Sequence, residues 1–182
     1  HGVSKIQKLQ MATQEGKNVS VCAIEGNFDD AQNGVKKIFS DKEINDKLND
    51  GGYILTSANS INWGRLAPQV VYYISAYCDL IKLGAVKYGD KVDFTVPTGN
   101  FGNIFAAYIA KRMGLPVGKL ICASNRNNIL TDFLTTGVYD RRRKFFQTMS
   151  PSMDILISSN LERLLYLIKK KKKTAEYMNR LN

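Results

Sequence analysis

Short apolar runs alternate with helical patterns along most of this chain, and that alternation restricts the fold more than any other feature. Residues 19–24, 53–57, 92–97 and 119–123 are apolar runs of strand length. Between them, residues 3–11, 29–39, 42–48, 70–83 and 104–113 carry apolar side chains at helical spacing. Continuous rather than alternating apolar strands, each followed by a helix, argue for an α/β fold with a mostly parallel sheet flanked by helices. The helix over 70–83 is apolar nearly all round and is expected to be central. Punctuation supports the spans. Asn49-Asp50-Gly51-Gly52 stops one helix, Gly84 another, and Gly114 a third with Pro116 beyond it. After Ser124 the pattern loosens into a loop-rich stretch. A short strand over 154–158 and a helix opened by Asn160 over 161–173 follow it. The boundary between two parts is expected near residue 60, giving segments 1–60 and 61–182.

The chain has 182 residues, enough for a sizeable core, and 44% hydrophobic residues, which excludes disorder and a disulfide scaffold. No stretch approaches the ~20 apolar residues of a membrane span. Cys22, Cys78 and Cys122 have no CxxC spacing, so buried thiols in a reducing, cytoplasmic setting are expected rather than disulfides or zinc. The net charge of +10 is local. Arg141–Lys144 and Lys169–Lys173 hold nine of the 26 basic residues, and the remaining 17 face 16 acidic ones. A nearly neutral body, with aromatics not interleaved among the basic runs, speaks against nucleic acid as partner. The chain opens His1-Gly2 with no methionine before Met11, and reads as an excerpt of a longer protein.

Two segments carry chemistry. Pro97-Thr98-Gly99-Asn100-Phe101-Gly102-Asn103 follows a strand and opens a helix. Its two glycines permit positive φ and close backbone approach, and the helix start behind them supplies unpaired N–H donors. That combination makes a phosphate cradle, although a plain strand-to-helix turn uses the same residues. There is no GK[ST], so the loop is not that of an NTPase. Asn59-Ser60-Ile61-Asn62-Trp63-Gly64-Arg65 likewise follows an apolar run, and Arg65 offers a planar fork suited to phosphate or carboxylate. Glu25, Asp29 and Asp30 are explained by a turn and a helix cap better than by a metal, and no metal is expected. His1 is the sole histidine, which removes His-based triads. Trp63 is expected to pack beside the glycine turn.

Val96 to Ile104 resembles the cofactor-phosphate loop of threonine synthase, a pyridoxal-phosphate (PLP) enzyme of fold type II. The resemblance continues in order through Gly2-Val3-Ser4, Ala23 to Gln32 (AIEGNFDDAQ), Ser57 to Asn62 (SANSIN), Pro68 to Tyr73 and Ser158 to Arg163 (SSNLER). It implies a lyase that converts O-phosphohomoserine and water into threonine and phosphate. It also implies that Gly99, Asn100, Phe101, Gly102 and Asn103 cradle the PLP phosphate. Asn59, Ser60 and Arg65 would hold the phosphate of the substrate, whose departure needs Arg, hydroxyl or amide donors. The family's Schiff-base lysine lies before the GVS block, and none of the 18 lysines here sits in a matching motif. The chain therefore matches an internal portion of such an enzyme. Alone it would lack the covalent anchor and any catalytic residue, and would need the remainder of the parent chain. Its first 60 residues would be part of the small subdomain, and 61–182 part of the large PLP-binding domain. A different fold-type-II lyase, or a non-enzymatic anion- or nucleic-acid-binding module, stands as the alternative.

Overall fold

The computed structural model describes residues 5–26 and 28–169, and divides the chain into two compact units, His1–Thr56 and Ser57–Asn182. Among the described residues, the first unit contains three helices: α1 (Lys5–Ala12), α2 (Phe28–Ser40) and α3 (Lys42–Asp50). Asp41 caps α3, its side chain accepting from the Ile44 N–H at 3.1 Å. This satisfies one of the donors that a helix start leaves unpaired. The apolar faces of these helices stay open: Ile6, Leu9, Val35 and Ile38 are all exposed, and Gln32 is the one buried residue among those described in this unit.

The second unit holds the core. It runs α4 (Trp63–Leu66), a 3₁₀ turn (Ala67–Gln69), α5 (Val70–Lys82), β1 (Val92–Pro97), α6 (Gly102–Arg112), β2 (Val117–Ala123), α7 (Ile129–Thr136), a second 3₁₀ turn (Pro151–Met153) and α8 (Leu161–Lys169). β1 and β2 pair in parallel, joined by α6 as crossover, and their register slips between Val92 and Phe94. There the Asp93 side chain accepts from the Lys119 N–H at 2.6 Å. Gly118 admits that contact, because a Cβ in its place would sit 2.2 Å from the same carboxylate oxygen. α6 lies at the centre. Ile104, Phe105, Ala106, Ala107 and Ala110 are buried against Leu66, Val70, Tyr73, Ile129, Leu130, Leu161 and Leu165. Small alanines on one helix let its neighbours close in, which interior packing density requires.

The α/β reading with parallel pairing stands, but three expected strands do not form. Residues 19–24, 53–57 and 154–158 run without strand structure. An apolar run makes a strand only where a neighbour offers a ladder, and β1 and β2 form the only ladder among the described residues. Helix α5 is one-sided rather than central. Val70, Tyr73 and Tyr77 are buried, while Val71, Tyr72 and Ile74 face outward. Cys22 and Cys78 are exposed, not buried, and Cys122 is half-buried. Cys22 belongs to one of the runs that form no strand, and Cys78 lies on the outward side of α5. The loop-rich stretch after Ser124 contains α7, which the sequence reading missed. Ser4, Asn27 and Lys170–Lys173 lie outside the described residues. Among the described residues, no helix is long and apolar enough to cross a membrane.

Candidate functional site

The glycine loop forms where β1 hands over to α6. Thr98 is buried, donates its hydroxyl to the Val96 carbonyl at 2.7 Å, and joins its N–H to Ala123 O of β2 at 2.8 Å. The sheet thereby fixes the start of the loop. Phe101, the residue before α6, has φ 66°, the left-handed conformation expected of a glycine. Neither Gly99 nor Gly102 has a positive φ in the left-handed range, which corrects the expectation that the glycines supply it. They are needed for space. A Cβ on Gly99 would stand 2.9 Å from Ile155 Cδ1, and one on Gly102 would stand 2.7 Å from both Cβ and Oγ of Ser60. The Phe101 ring offsets the cost of its strained backbone by packing in the core, where it is 6% exposed.

Ser60 brings the second expected loop to the first. Its buried hydroxyl oxygen accepts from Asn100 Nδ2 at 2.8 Å and from Asn160 Nδ2 at 3.0 Å. Asn160 also donates to the Asn100 carbonyl, through its backbone N–H at 3.0 Å and its side chain at 3.1 Å. Arg163, one turn into α8, donates to Ser60 O at 2.9 Å, to Asn160 Oδ1 at 2.7 Å and to Ile61 O. No carboxylate among the described residues pairs with it. Partial burial depresses its pKa, since the charged form loses hydration. Ser158 completes the junction by donating to Gly99 O at 2.8 Å. Three segments 40 to 100 residues apart in sequence thus meet at one point.

The other expected site residues are placed differently. Asn59 is exposed, and its side-chain oxygen is taken up by Ser57 Oγ at 2.9 Å and by the Ile61 N–H at 3.0 Å, so it shapes its own loop. Arg65 is exposed on α4, with its backbone N–H on Asn62 O at 3.0 Å. Asn103 is exposed at the start of α6, and Tyr73 of α5 donates its hydroxyl to Asn103 Oδ1 at 2.8 Å. Burial pushes the Tyr73 hydroxyl up to about 12. The Cys122 thiol is also pushed up by burial, against a hydrogen bond with Thr98 that lowers it. Trp63 is half-exposed and borders an apolar pocket of about 400 Å³ with Phe105, Ile109, Tyr166 and Leu167. Ser158 and Arg163 had no role in the sequence reading, and Asn160 only that of opening a helix. The signal available for them was a polar Ser-Ser-Asn run directly before an amphipathic helix.

Beyond β2, a second polar cluster shapes the long loop. The Asp154 carboxylate accepts from Asn125 at 2.7 Å, Asn127 at 3.0 Å, the Thr148 hydroxyl at 2.7 Å and the Thr148 N–H at 2.8 Å. The arginine run is used structurally: Arg143 donates to Asp132 at 2.8 Å and Arg142 pairs with Asp140. Hydrogen bonds from Arg142 hold the Asp140 carboxyl below its usual range. Arg126 and Lys144 flank the ring of Phe146 at 5.0 and 5.7 Å, an aromatic contact of the basic run that the sequence reading did not expect. No group of three or more potential metal ligands occurs among the described residues.

Comparison with known proteins gives this geometry a family. No protein-family model matches the chain. Threonine synthase-like 1 of Pongo abelii is 53% identical over 185 residues, covering all of this chain and 25% of that protein. Threonine synthase of Saccharomyces cerevisiae is 48% identical over 166 residues, covering 91% of this chain and 31% of the yeast protein. Among solved structures, the PLP-bound threonine synthase of Brucella melitensis superposes with a TM-score of 0.75 at 49% identity, covering 97% of this chain and 36% of that one. The chain thus spans about a quarter to a third of the length of the curated relatives it matches. In sequence and in fold the chain matches a portion of threonine synthase, an enzyme of fold type II.

Proposed function

We propose that this chain supplies two phosphate-recognising loops to a PLP-dependent threonine synthase, a carbon–oxygen lyase that converts O-phosphohomoserine and water into threonine and phosphate. In this reading Gly99, Asn100, Phe101, Gly102 and Asn103 hold the phosphate of PLP. Asn59, Ser60 and Arg65 hold that of the substrate. The observation that carries it is the 2.8 Å hydrogen bond from Asn100 Nδ2 to Ser60 Oγ, which joins the two loops edge to edge. The residues present fit the cofactor. Gly99 and Gly102 let the loop close against Ile155 and Ser60, where a Cβ would stand at 2.9 and 2.7 Å, and the loop opens the eleven-residue helix α6, a favourable place for an anion.

Each loop does a different kind of work. Backbone N–H groups of this loop bind and orient a phosphate without contributing a proton of their own, while that of Gly102 is taken by Asn100 Oδ1 at 3.2 Å. Arg65 can offer two parallel N–H donors to a leaving dianion, matching charge as it develops. When bound, PLP supplies the electron sink for charge developed at substrate carbons. We assign the Schiff-base lysine to a part of the enzyme outside these 182 residues, residues 1–60 to the small subdomain, and 61–182 to the large domain. On this assignment the isolated chain is inactive, and borohydride treatment with PLP labels no single lysine in it. Specific labelling of one lysine overturns that assignment.

Arg65 gives the direct test. In a full-length threonine synthase containing this segment, Arg65→Ala is expected to cost about 2–5 kcal/mol of transition-state stabilisation, read from kcat/KM. Arg65→Lys recovers only part, since an ammonium cannot make the fork. PLP content stays unchanged. A variant that loses PLP yet keeps normal kinetics per bound cofactor reverses the assignment of the two loops.

A further inference from the structure

The bonds that α8 and the turn before it make to the glycine loop all fall on carbonyl oxygens, and this decides where the loop's N–H groups face. Gly99 O is taken by Ser158 Oγ at 2.8 Å, and Asn100 O by Asn160 N and Nδ2 at 3.0 and 3.1 Å. In a trans peptide the carbonyl and the following N–H point in opposite directions. Every peptide among the described residues is trans. The Asn100 N–H and the Phe101 N–H are therefore both turned away from residues 158–160, and neither has an acceptor among the described residues. The orientation of the Asn160 amide is itself fixed. Arg163 can only donate, so the atom 2.7 Å from its guanidinium is Oδ1, which leaves Nδ2 for Ser60 and Asn100. Asn160 is 1% exposed and Ser158 7% exposed, so water does not compete for these bonds.

We propose that Ser158 and Asn160 are positioning residues that aim the Asn100 and Phe101 amide N–H groups at a phosphate monoester by holding the opposite ends of their peptides. The ligand is the phosphate of PLP, so the inference rests on the reading of the glycine loop given above. Neither side chain touches that phosphate. Each acts by preventing its peptide from turning over, a motion that would present a carbonyl oxygen to the anion.

The test is equilibrium binding of PLP and of pyridoxal, which lacks the phosphate, to a full-length threonine synthase containing this segment. The wild type is expected to prefer PLP strongly. Ser158→Ala should weaken PLP binding five- to tenfold and Asn160→Asp ten- to a hundredfold, with pyridoxal affinity unchanged within twofold for both. Ser158→Thr, which keeps the hydroxyl, should restore PLP affinity to within twofold of wild type. Equal losses for PLP and pyridoxal would mark a general packing role and overturn the proposal. So would folded variants that discriminate as well as the wild type. A wild type that binds the two ligands alike overturns the cradle reading itself, and this proposal with it.

Discussion

The two units of the chain follow the same sequence rules and reach different ends. In the first, α2 and α3 are amphipathic and Asp41 caps α3, yet Val35, Ile38 and Ile44 stay exposed. In the second, helices of no greater regularity wrap α6 and bury eighteen hydrophobic residues. Periodicity therefore states which face of a helix is apolar, and not whether anything covers it. The stability of the second unit resides in packing, and that of the first, as described, in local terms such as caps and i,i+4 pairs.

Core truncation should separate the units most. Leu130→Ala, at a position 2% exposed, is expected to cost about 3–5 kcal/mol in the second unit. Ile38→Ala, at 46% exposure in the first, should cost less than about 1 kcal/mol. Denaturant melts followed by hydrogen exchange resolve the two, and equal losses would break the distinction.

Glycine replacements should differ in sign. Gly102→Ala drives a Cβ to 2.7 Å from Ser60 and should destabilise by about 1–3 kcal/mol. Gly34→Ala lies inside α2 with nothing within 4 Å, and should stabilise by about 0.5–1 kcal/mol. Thermal melts of both variants check the pair.

Tyr73→Phe removes the hydroxyl on Asn103 and should cost about 1 kcal/mol. It also has a pH signature. The Tyr73 pKa is raised from 10.0 to about 12 by burial. The unfolded chain therefore holds fewer protons than the folded one between those values, and this contribution to stability falls as pH rises through that window. Below pH ~10 the contribution is constant. Unfolding curves at pH 9 to 12.5 should show an alkaline loss in the wild type that Tyr73→Phe lacks. Identical curves would mean that the hydroxyl is not buried as described. The smallest effect is at Asp41→Ala, about 0.5–1 kcal/mol from the lost α3 cap, read from the helical circular dichroism of the first unit.

Much of this was legible in the sequence, and the failures share a cause. Helices with a stop signal, such as α3 before Gly51 and α6 before Gly114, are found within a residue or two of where their residues place them. Residues 19–24 and 53–57 read as strands because a short apolar run carries no information about its neighbours. α7 was missed because Asn128 and Gly137 bound a segment of only eight residues, between stretches rich in turn chemistry. At the candidate site the glycine loop and Ser60 were named, but the reason for the glycines was not. Clearance from Ser60 and Ile155 is a contact between distant segments. Residue 158 was visible only as a member of a matched block and residue 160 otherwise only as a helix start, since bonds to the carbonyls of residues 99 and 100 leave no local pattern.

Phe101 has one further consequence. Its ring belongs to the same cluster as Leu130 and Leu165, while its backbone makes the left-handed step into α6. The loop is thus a cantilever clamped at its tip by the interior, with no hinge of its own. A change in the interior therefore reaches the peptides around residue 101 directly through the Phe101 ring. On the proposed reading of this loop, a cavity-forming substitution elsewhere in the cluster weakens phosphate binding before the chain unfolds.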